Sequence, residues 1–207
     1  MKVLVACEES QAVTKEFRKL GHEAYSCDIL PCSGGHPEWH IQHDLFSGVL
    51  GYDYDMMIAF PPCTRLANSG VRWLHRPPKN KTWDEMWLEL YDAVTFYKKV
   101  RNVGIKKIAI ENPIMHKYAR AMIGNINRKI VQPWWFGEKA FKATGFELIN
   151  LPELKPTNKL IPPIKGTQEH KEWSICHRLP PSKNRAILRA KTYPGIAKAM
   201  ADQWGAE

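Results

Sequence analysis

Short, uninterrupted apolar runs alternate with longer amphipathic stretches along this chain, and that alternation limits the folds open to it. "KVLVA" (2–6), "HEAYSCD" (22–28), "DMMIAF" (55–60), "KKIAIEN" (106–112) and "GFELINL" (145–151) read as strands. Apolar runs with no polar face suit strands covered on both sides. Between them, "SQAVTKEFRKLG" (10–21) spaces Val13, Phe17 and Leu20 as a helix does, with Ser10 as N-cap and Gly21 as stop. In "WDEMWLELYDAVTFYKKV" (83–100), Trp83, Met86, Trp87, Leu90, Val94 and Tyr97 share one helical face. Strand–helix alternation predicts an α/β fold, a mostly parallel, doubly wound, Rossmann-like sheet. The 207 residues suit one domain, with a basic, partly irregular segment over 152–192.

Thirty Lys and Arg against 21 Asp and Glu give a net charge of +9, which favours an anionic partner such as nucleic acid. The apolar run Val3–Ala6 is too short for a signal peptide or a membrane span, and five cysteines is an odd number. A cytoplasmic protein with reduced thiols and no membrane partner is expected. Cys27, Cys32, His36, His40 and His43 fall at irregular spacings, so no metal is expected, and His36 and His40 are read as a surface loop.

Open α/β sheets keep their chemistry at the carboxyl ends of the strands. The first such end, "VACEES" (5–10), has no glycine. Glu8 and Glu9 would repel a phosphate and suit a cationic or hydroxyl-bearing ligand, although these acids read equally well as helix caps. Asp28 closes the second strand, where it can accept bonds from ribose hydroxyls. Cys63 follows the rigid Pro61-Pro62 turn, and Glu111 ends "KIAIE". In a parallel sheet both emerge on one edge. A thiolate that attacks an electron-poor carbon and an acid that protonates the heteroatom gaining charge form a sensible pair. A lone buried cysteine is also commonly inert.

These residues carry a resemblance. "IAFPPCTRLANSG" (58–70) resembles the Gly-Pro-Pro-Cys-Gln loop of DNA cytosine-5 methyltransferases, and "IAIENP" (108–113) their Glu-Asn-Val strand end. "LVACEESQAVTKEFRKLGHEAYSCDI" (4–29) has the layout of their first cofactor motif. "IQHDLFS" (41–47) is similar to their Gly-Asp-Ile segment, and "TYPGIAKAMADQW" (192–204) to their last helix. The chain looks most like the short, phage-type members, which implies a bacterial or phage-infected cell. The resemblance implies S-adenosylmethionine as cofactor and methyl transfer to carbon 5 of cytosine in DNA. Cys63 would be the nucleophile, Glu111 and Asn112 would serve the pyrimidine ring nitrogen, and Lys142 would hold the pyrimidine oxygen. Glu8, Ser10, Asp28, Ile29, Asp44, Phe60 and Pro62 would hold the cofactor.

The chain departs from the family in four places. The Phe-x-Gly-x-Gly motif is missing, Thr64 replaces Gln, Pro113 replaces Val, and no Gln-x-Arg-x-Arg signature occurs. Only 80 positions separate Pro113 from Tyr193, too few for the last strands and a target-recognition domain together. RNA, single strands or a free pyrimidine nucleotide therefore stand as alternative substrates, and a catalytically idle nucleic-acid-binding module as an alternative class. Basic residues interleaved with Trp suit a phosphate-tracking, base-stacking surface. Arg72, Lys79 and Lys81 lie after Cys63. Arg178, Arg185 and Arg189 lie in 165–191, where seven Lys and Arg, Lys183 among them, face two Glu. The same residues also read as a solvated basic face.

Overall fold

The computed structural model describes residues 1–180, 182 and 185–206; Lys183 lies outside the described residues. Among the described residues seven strands form one sheet: β1 (Lys2–Ala6), β2 (Glu23–Asp28), β3 (His40–Gln42), β4 (Met56–Ala59), β5 (Lys107–Asn112), β6 (Arg128–Val131) and β7 (Thr144–Ile149). Their order is β3-β2-β1-β4-β5-β7-β6. The first five run parallel, and β7 lies antiparallel between β5 and β6.

Helices cover both faces, which explains the unbroken apolar runs. Successive side chains of a strand point to opposite faces. Val3, Val5, Met56, Ile58, Phe146 and Leu148 therefore enter one core, under α1 (Ala12–Lys19) and α7 (Pro194–Trp204). Leu4, Ala6, Met57, Ala59, Ile108 and Ile110 enter the other, under α2 (Trp83–Arg101) and α3 (Lys117–Ile123). Three short helices, α4 (Gln168–Trp173), α5 (Ile175–Arg178) and α6 (Arg185–Ala190), follow a Pro-rich stretch without helices or long strands. Among the described residues no helix is long and apolar enough to cross a membrane.

Local chemistry sets the helix ends. Thr82 and Glu85 form a reciprocal capping box at the start of α2. Gly21 ends α1 with φ +82°, as expected. The start of α1 differs from expectation. Gln11, not Ser10, is the N-cap and makes no side-chain cap. The backbone N–H groups of Val13 and Thr14 donate instead to Glu8, at 2.7 and 3.3 Å. Glu8 thereby satisfies two first-turn N–H groups that no cap side chain reaches. Trp83, the first residue of α2, is more than half exposed rather than buried with the core face of the helix. His40 opens strand β3 instead of lying in a loop; its ring accepts from Ser26 Oγ at 2.8 Å and donates to the Leu30 carbonyl at 2.9 Å.

Candidate active site

The strand register brings the separated sequence signals to one edge. Ala6 pairs with Cys27 and Ala59, Ala59 with Ile110, and Asn112 with Gly145. The segments leaving β1, β2, β4 and β5, and the segment entering β7, therefore meet at the same end of the sheet. That end holds Cys7–Gln11, Asp28, Phe60–Cys63, Glu111 and Lys142.

Cys63 sits in a tight turn. Its carbonyl accepts from the N–H groups of Leu66 and Ala67, at 3.0 and 2.9 Å. Pro61 is buried and Pro62 exposed, so the turn is anchored on one side only. The turn is also pinned to the end of β5. Ala67 bridges to Met115, Asn68 N–H donates to the Ile114 carbonyl at 2.9 Å, and His116 N–H to the Leu66 carbonyl at 3.0 Å. Gly70 is required here, since a Cβ would lie 2.3 Å from the Thr64 carbonyl oxygen.

The electrostatics of Cys63 name its neighbours. Burial pushes its thiol up, the Glu111 carboxylate pushes it further, and the ammonium of Lys142 and the guanidinium of Arg189 pull it down. Glu111 is itself raised by burial, with Lys142 opposing. A thiol, an acid that keeps its proton more readily than usual, and two cations thus act on one another through their charges at this edge. The Lys142 ammonium donates to the Lys191 carbonyl at 3.1 Å and lies 5.9 Å from the Tyr193 ring centroid, which ties the segment before α7 to the site. Arg189, which sequence reasoning assigned to a nucleic-acid surface, also lowers the Cys63 thiol through its charge. Asn112 differs. It shares the face of Ile108 and Ile110, opposite Glu111, and is 1 % exposed, with both amide atoms unpartnered among the described residues.

The expected cofactor residues divide into two groups. Glu8 is 3 % exposed; its oxygens accept from Val13, Thr14 N–H and Thr14 Oγ1, so its carboxylate is committed to α1. Burial raises it to about 7 despite those bonds. The charges of Asp28 and Asp44 both raise the thiols of Cys7 and Cys27, after burial. One oxygen of Asp28 caps the turn at Leu30, and one of Asp44 caps Phe46 and Ser47. Among the described residues the second oxygen of each has no hydrogen-bond partner. Ile29, beside Asp28, is 69 % exposed, an apolar side chain left open at the strand end. Phe60 is half-buried against the α1 core, and its N–H donates to the Ala6 carbonyl at 2.9 Å.

The first turn reaches without glycine the backbone that such turns usually obtain from it. Cys7 and Gln11 hold φ of 59° and 57°, a region costly for side-chain-bearing residues. The loop after β2 closes over this turn. Ser33 N–H donates to the Glu9 carbonyl at 2.8 Å, and the buried Gln11 amide bonds His36 at both its oxygen and its nitrogen. These features fit a cationic, hydroxyl-bearing adenosyl group such as S-adenosylmethionine better than a phosphate.

The basic residues are not equivalent. Lys79 and Arg178 are exposed, and Arg72 is exposed with its guanidinium 4.3 Å from the Trp73 ring centroid. Lys81 pairs with Glu89, which also accepts from Arg65 Nε at 2.5 Å. That pairing makes Lys81 part of a clamp between the Cys63 turn and α2, not a projecting cation. Arg185 is half-buried.

A sheet of this order, with its one antiparallel strand inserted next to the last position, defines the α/β methyltransferase fold. Two solved structures share it. One is described as a DNA modification methyltransferase encoded within an E. coli prophage, at 13 % identity and a TM-score of 0.50 over 77 % of this chain and 52 % of that one. The other is the Entamoeba histolytica methyltransferase EhMeth, at 13 % identity and a TM-score of 0.50 over 77 % of this chain and 57 % of that one. The chain thus spans little more than half the length of either. No protein-family model and no curated protein matches it.

Proposed function

We propose that this chain is an S-adenosylmethionine-dependent methyltransferase acting on carbon 5 of cytosine in DNA. The observation that carries the reading is the meeting of Cys63, Glu111 and Lys142 at one sheet edge. In this reading the Cys63 thiolate adds to carbon 6 of the ring and forms a C–S bond. Glu111, protonated, donates to ring nitrogen N3 and takes up the charge that the addition pushes there. Lys142 holds the pyrimidine oxygen as a point charge, and Arg189 adds a second cation. Carbon 5 becomes nucleophilic. The bound cofactor supplies an electrophilic methyl group. Loss of the carbon-5 proton to a base then restores the ring double bond as the C–S bond breaks. Asp28 would hold the ribose, Asp44 the adenine amine, and Ile29, Phe60 and Pro62 would line the apolar side. A base in a duplex must leave the stack to reach Cys63. The exposed Arg72, Lys79 and Arg178 would follow the phosphates.

Incubation with methyl-labelled S-adenosylmethionine and a panel of duplex DNA, single-stranded DNA, RNA and dCMP tests the assignment. Label recovered as 5-methylcytosine in DNA is the expected result. Label only in RNA or dCMP would reassign the substrate, and a methyl on an exocyclic amine would refute the mechanism.

A further inference from the structure

Beside α1 lies an open cavity of about 460 Å³ lined by Lys15, Arg18, Lys19, His22, His36 and Trp39, and no carboxylate among the described residues lines it. Two of its cations are held in place without being neutralised. Arg18 Nε donates to the Ala24 carbonyl at 2.7 Å, and its guanidinium carbon lies 4.7 Å from the Tyr25 ring centroid and 5.1 Å from that of Trp39. Among the described residues its two terminal nitrogens have no hydrogen-bond partner. Lys15 Nζ donates to the Gly34 carbonyl at 3.2 Å. The carboxylates nearby engage other groups: Glu16 pairs with Lys19 at 2.6 Å, and Glu38 with His36 at 3.0 Å. Hydrogen bonds lower the Glu38 carboxyl first, and the charge of Arg18 least.

Lys15 lies three residues from Arg18 and four from Lys19, so the three cations share one helix face and repel one another. The negative end of the helix accounts for Arg18 and Lys19, in the last turn, but not for Lys15, one turn earlier. The facing wall is built rather than loose. His36 stacks on Trp39 with centroids 3.9 Å apart and planes at 12°. The buried Gln11 amide bonds the His36 backbone at both its oxygen and its nitrogen, and a Cβ on Gly34 would lie 2.5 Å from the Ser10 carbonyl oxygen. We propose that this cavity binds a phosphate monoester. Such a group is close to doubly charged at neutral pH. Its oxygens suit the free fork of Arg18 and the point charges of Lys15 and Lys19, and its charge relieves their repulsion. The volume is that of a small-molecule site rather than of a bare ion, which leaves room for the organic part along the His36–Trp39 wall. Two sources share this chemistry: a free nucleotide or sugar phosphate, and the 5′-phosphate end of a nucleic acid. The site is separate from Cys63 and does not depend on the proposed methyl transfer.

The indole N–H signal of Trp39 in a heteronuclear NMR spectrum, assigned from Trp39→Phe, reads the site. The full chain is titrated with inorganic phosphate, ribose 5-phosphate, dCMP, and one single-stranded oligonucleotide with and without a 5′-phosphate, at constant ionic strength in sodium chloride. A saturable shift of Trp39 with at least one monoester, tighter than with inorganic phosphate, is expected. Saturation by ribose 5-phosphate or dCMP assigns the free ester, and saturation by the phosphorylated strand alone assigns the nucleic-acid end. Arg18→Lys, which keeps the charge but loses the fork, and separately Lys15→Gln with Lys19→Gln, should each weaken binding about tenfold or more while folding by circular dichroism. The proposal fails if no probe gives a saturable shift, if both folded variants bind as wild type does, or if the strand lacking the 5′-phosphate binds as tightly as the one that has it.

Discussion

His116 Nε2 donates to the carbonyl of Arg65 at 2.7 Å, while its Nδ1 accepts from the Ala119 N–H at 3.1 Å. One neutral ring thereby joins the turn that carries Cys63 to the helix that follows Glu111. Burial lowers the His116 pKa, which keeps the ring in the only protonation state that serves both partners. His116→Asn can still cap α3 but cannot reach Arg65. It should fold, lose about 1–3 kcal/mol of stability at most, and lose methyl transfer by about tenfold or more through misplacement of Cys63. Because the folded value lies below the ordinary 6.5, the unfolded chain binds this proton first. The contribution of His116 to stability is therefore full above pH 6.5 and is lost as pH falls below it. Thermal melts of both proteins from pH 8 to about pH 5 check the sign; a wild-type-to-variant difference that grows on acidification would contradict it.

The titration of Cys63 should respond in opposite directions to the two charges that act on it most strongly. Glu111→Gln removes the carboxylate that raises the thiol, so the Cys63 pKa falls. Lys142→Met removes a cation that lowers it, so the pKa rises. The pH dependence of Cys63 alkylation, read at that residue by mass spectrometry, measures both. The faster alkylation of Glu111→Gln should accompany lost methyl transfer, since the acid for ring nitrogen is gone.

The two acidic groups at the cofactor edge should separate in behaviour. Asp28→Ala and Asp44→Ala should each weaken S-adenosylmethionine binding, by about 1–3 kcal/mol in calorimetric titration, whereas Glu8→Gln should leave affinity near wild type. Glu8 shows instead in stability. Its folded pKa is raised from 4.5 to about 7, so the folded state holds a proton that the unfolded chain releases. Wild-type stability from this group is full below pH 4.5 and declines until about pH 7. Glu8→Gln should remove that decline.

Nucleic-acid affinity should fall steeply with salt, and the basic residues should contribute unequally. Neutralising Arg72, Lys79 and Arg178 should reduce the slope of log affinity against log salt by about 0.9 for each duplex phosphate that these side chains pair with. Lys81→Gln should leave the slope unchanged, because Lys81 is engaged by Glu89. An unchanged slope in the triple variant would remove these residues from the interface.

The strands that sequence made legible, β1, β2, β4, β5 and β7, are largely buried ones, where apolar content marks them. β3 and β6 were not visible. His40–Gln42 and Arg128–Val131 are short edge strands with polar side chains, and each exists because a neighbour offers an open ladder. The reversed direction of β7 left no local mark, since orientation is fixed by insertion between β5 and β6. At the site, Cys63 and Glu111 were legible because strand ends and a Pro-Pro turn are local. Glu8 as a helix cap was legible as one of two readings, because the helix it caps follows at once; Lys81 as clamp and the charge of Arg189 on Cys63 were not, because each depends on where a separate segment folds. His116 was missed for the same reason: 51 positions separate it from Arg65.

The central claim is that Cys63 forms a bond to the base, and duplex DNA carrying 5-fluorocytosine tests it most directly. Fluorine cannot leave as a proton does, so after methyl transfer the C–S bond cannot break. Wild-type protein with S-adenosylmethionine should form a denaturation-resistant adduct mapped to Cys63, while Cys63→Ser should fold, bind cofactor, form no adduct and lose transfer by orders of magnitude. Wild-type turnover in Cys63→Ser, or no adduct on DNA whose unfluorinated counterpart is methylated, would mean that Cys63 only packs.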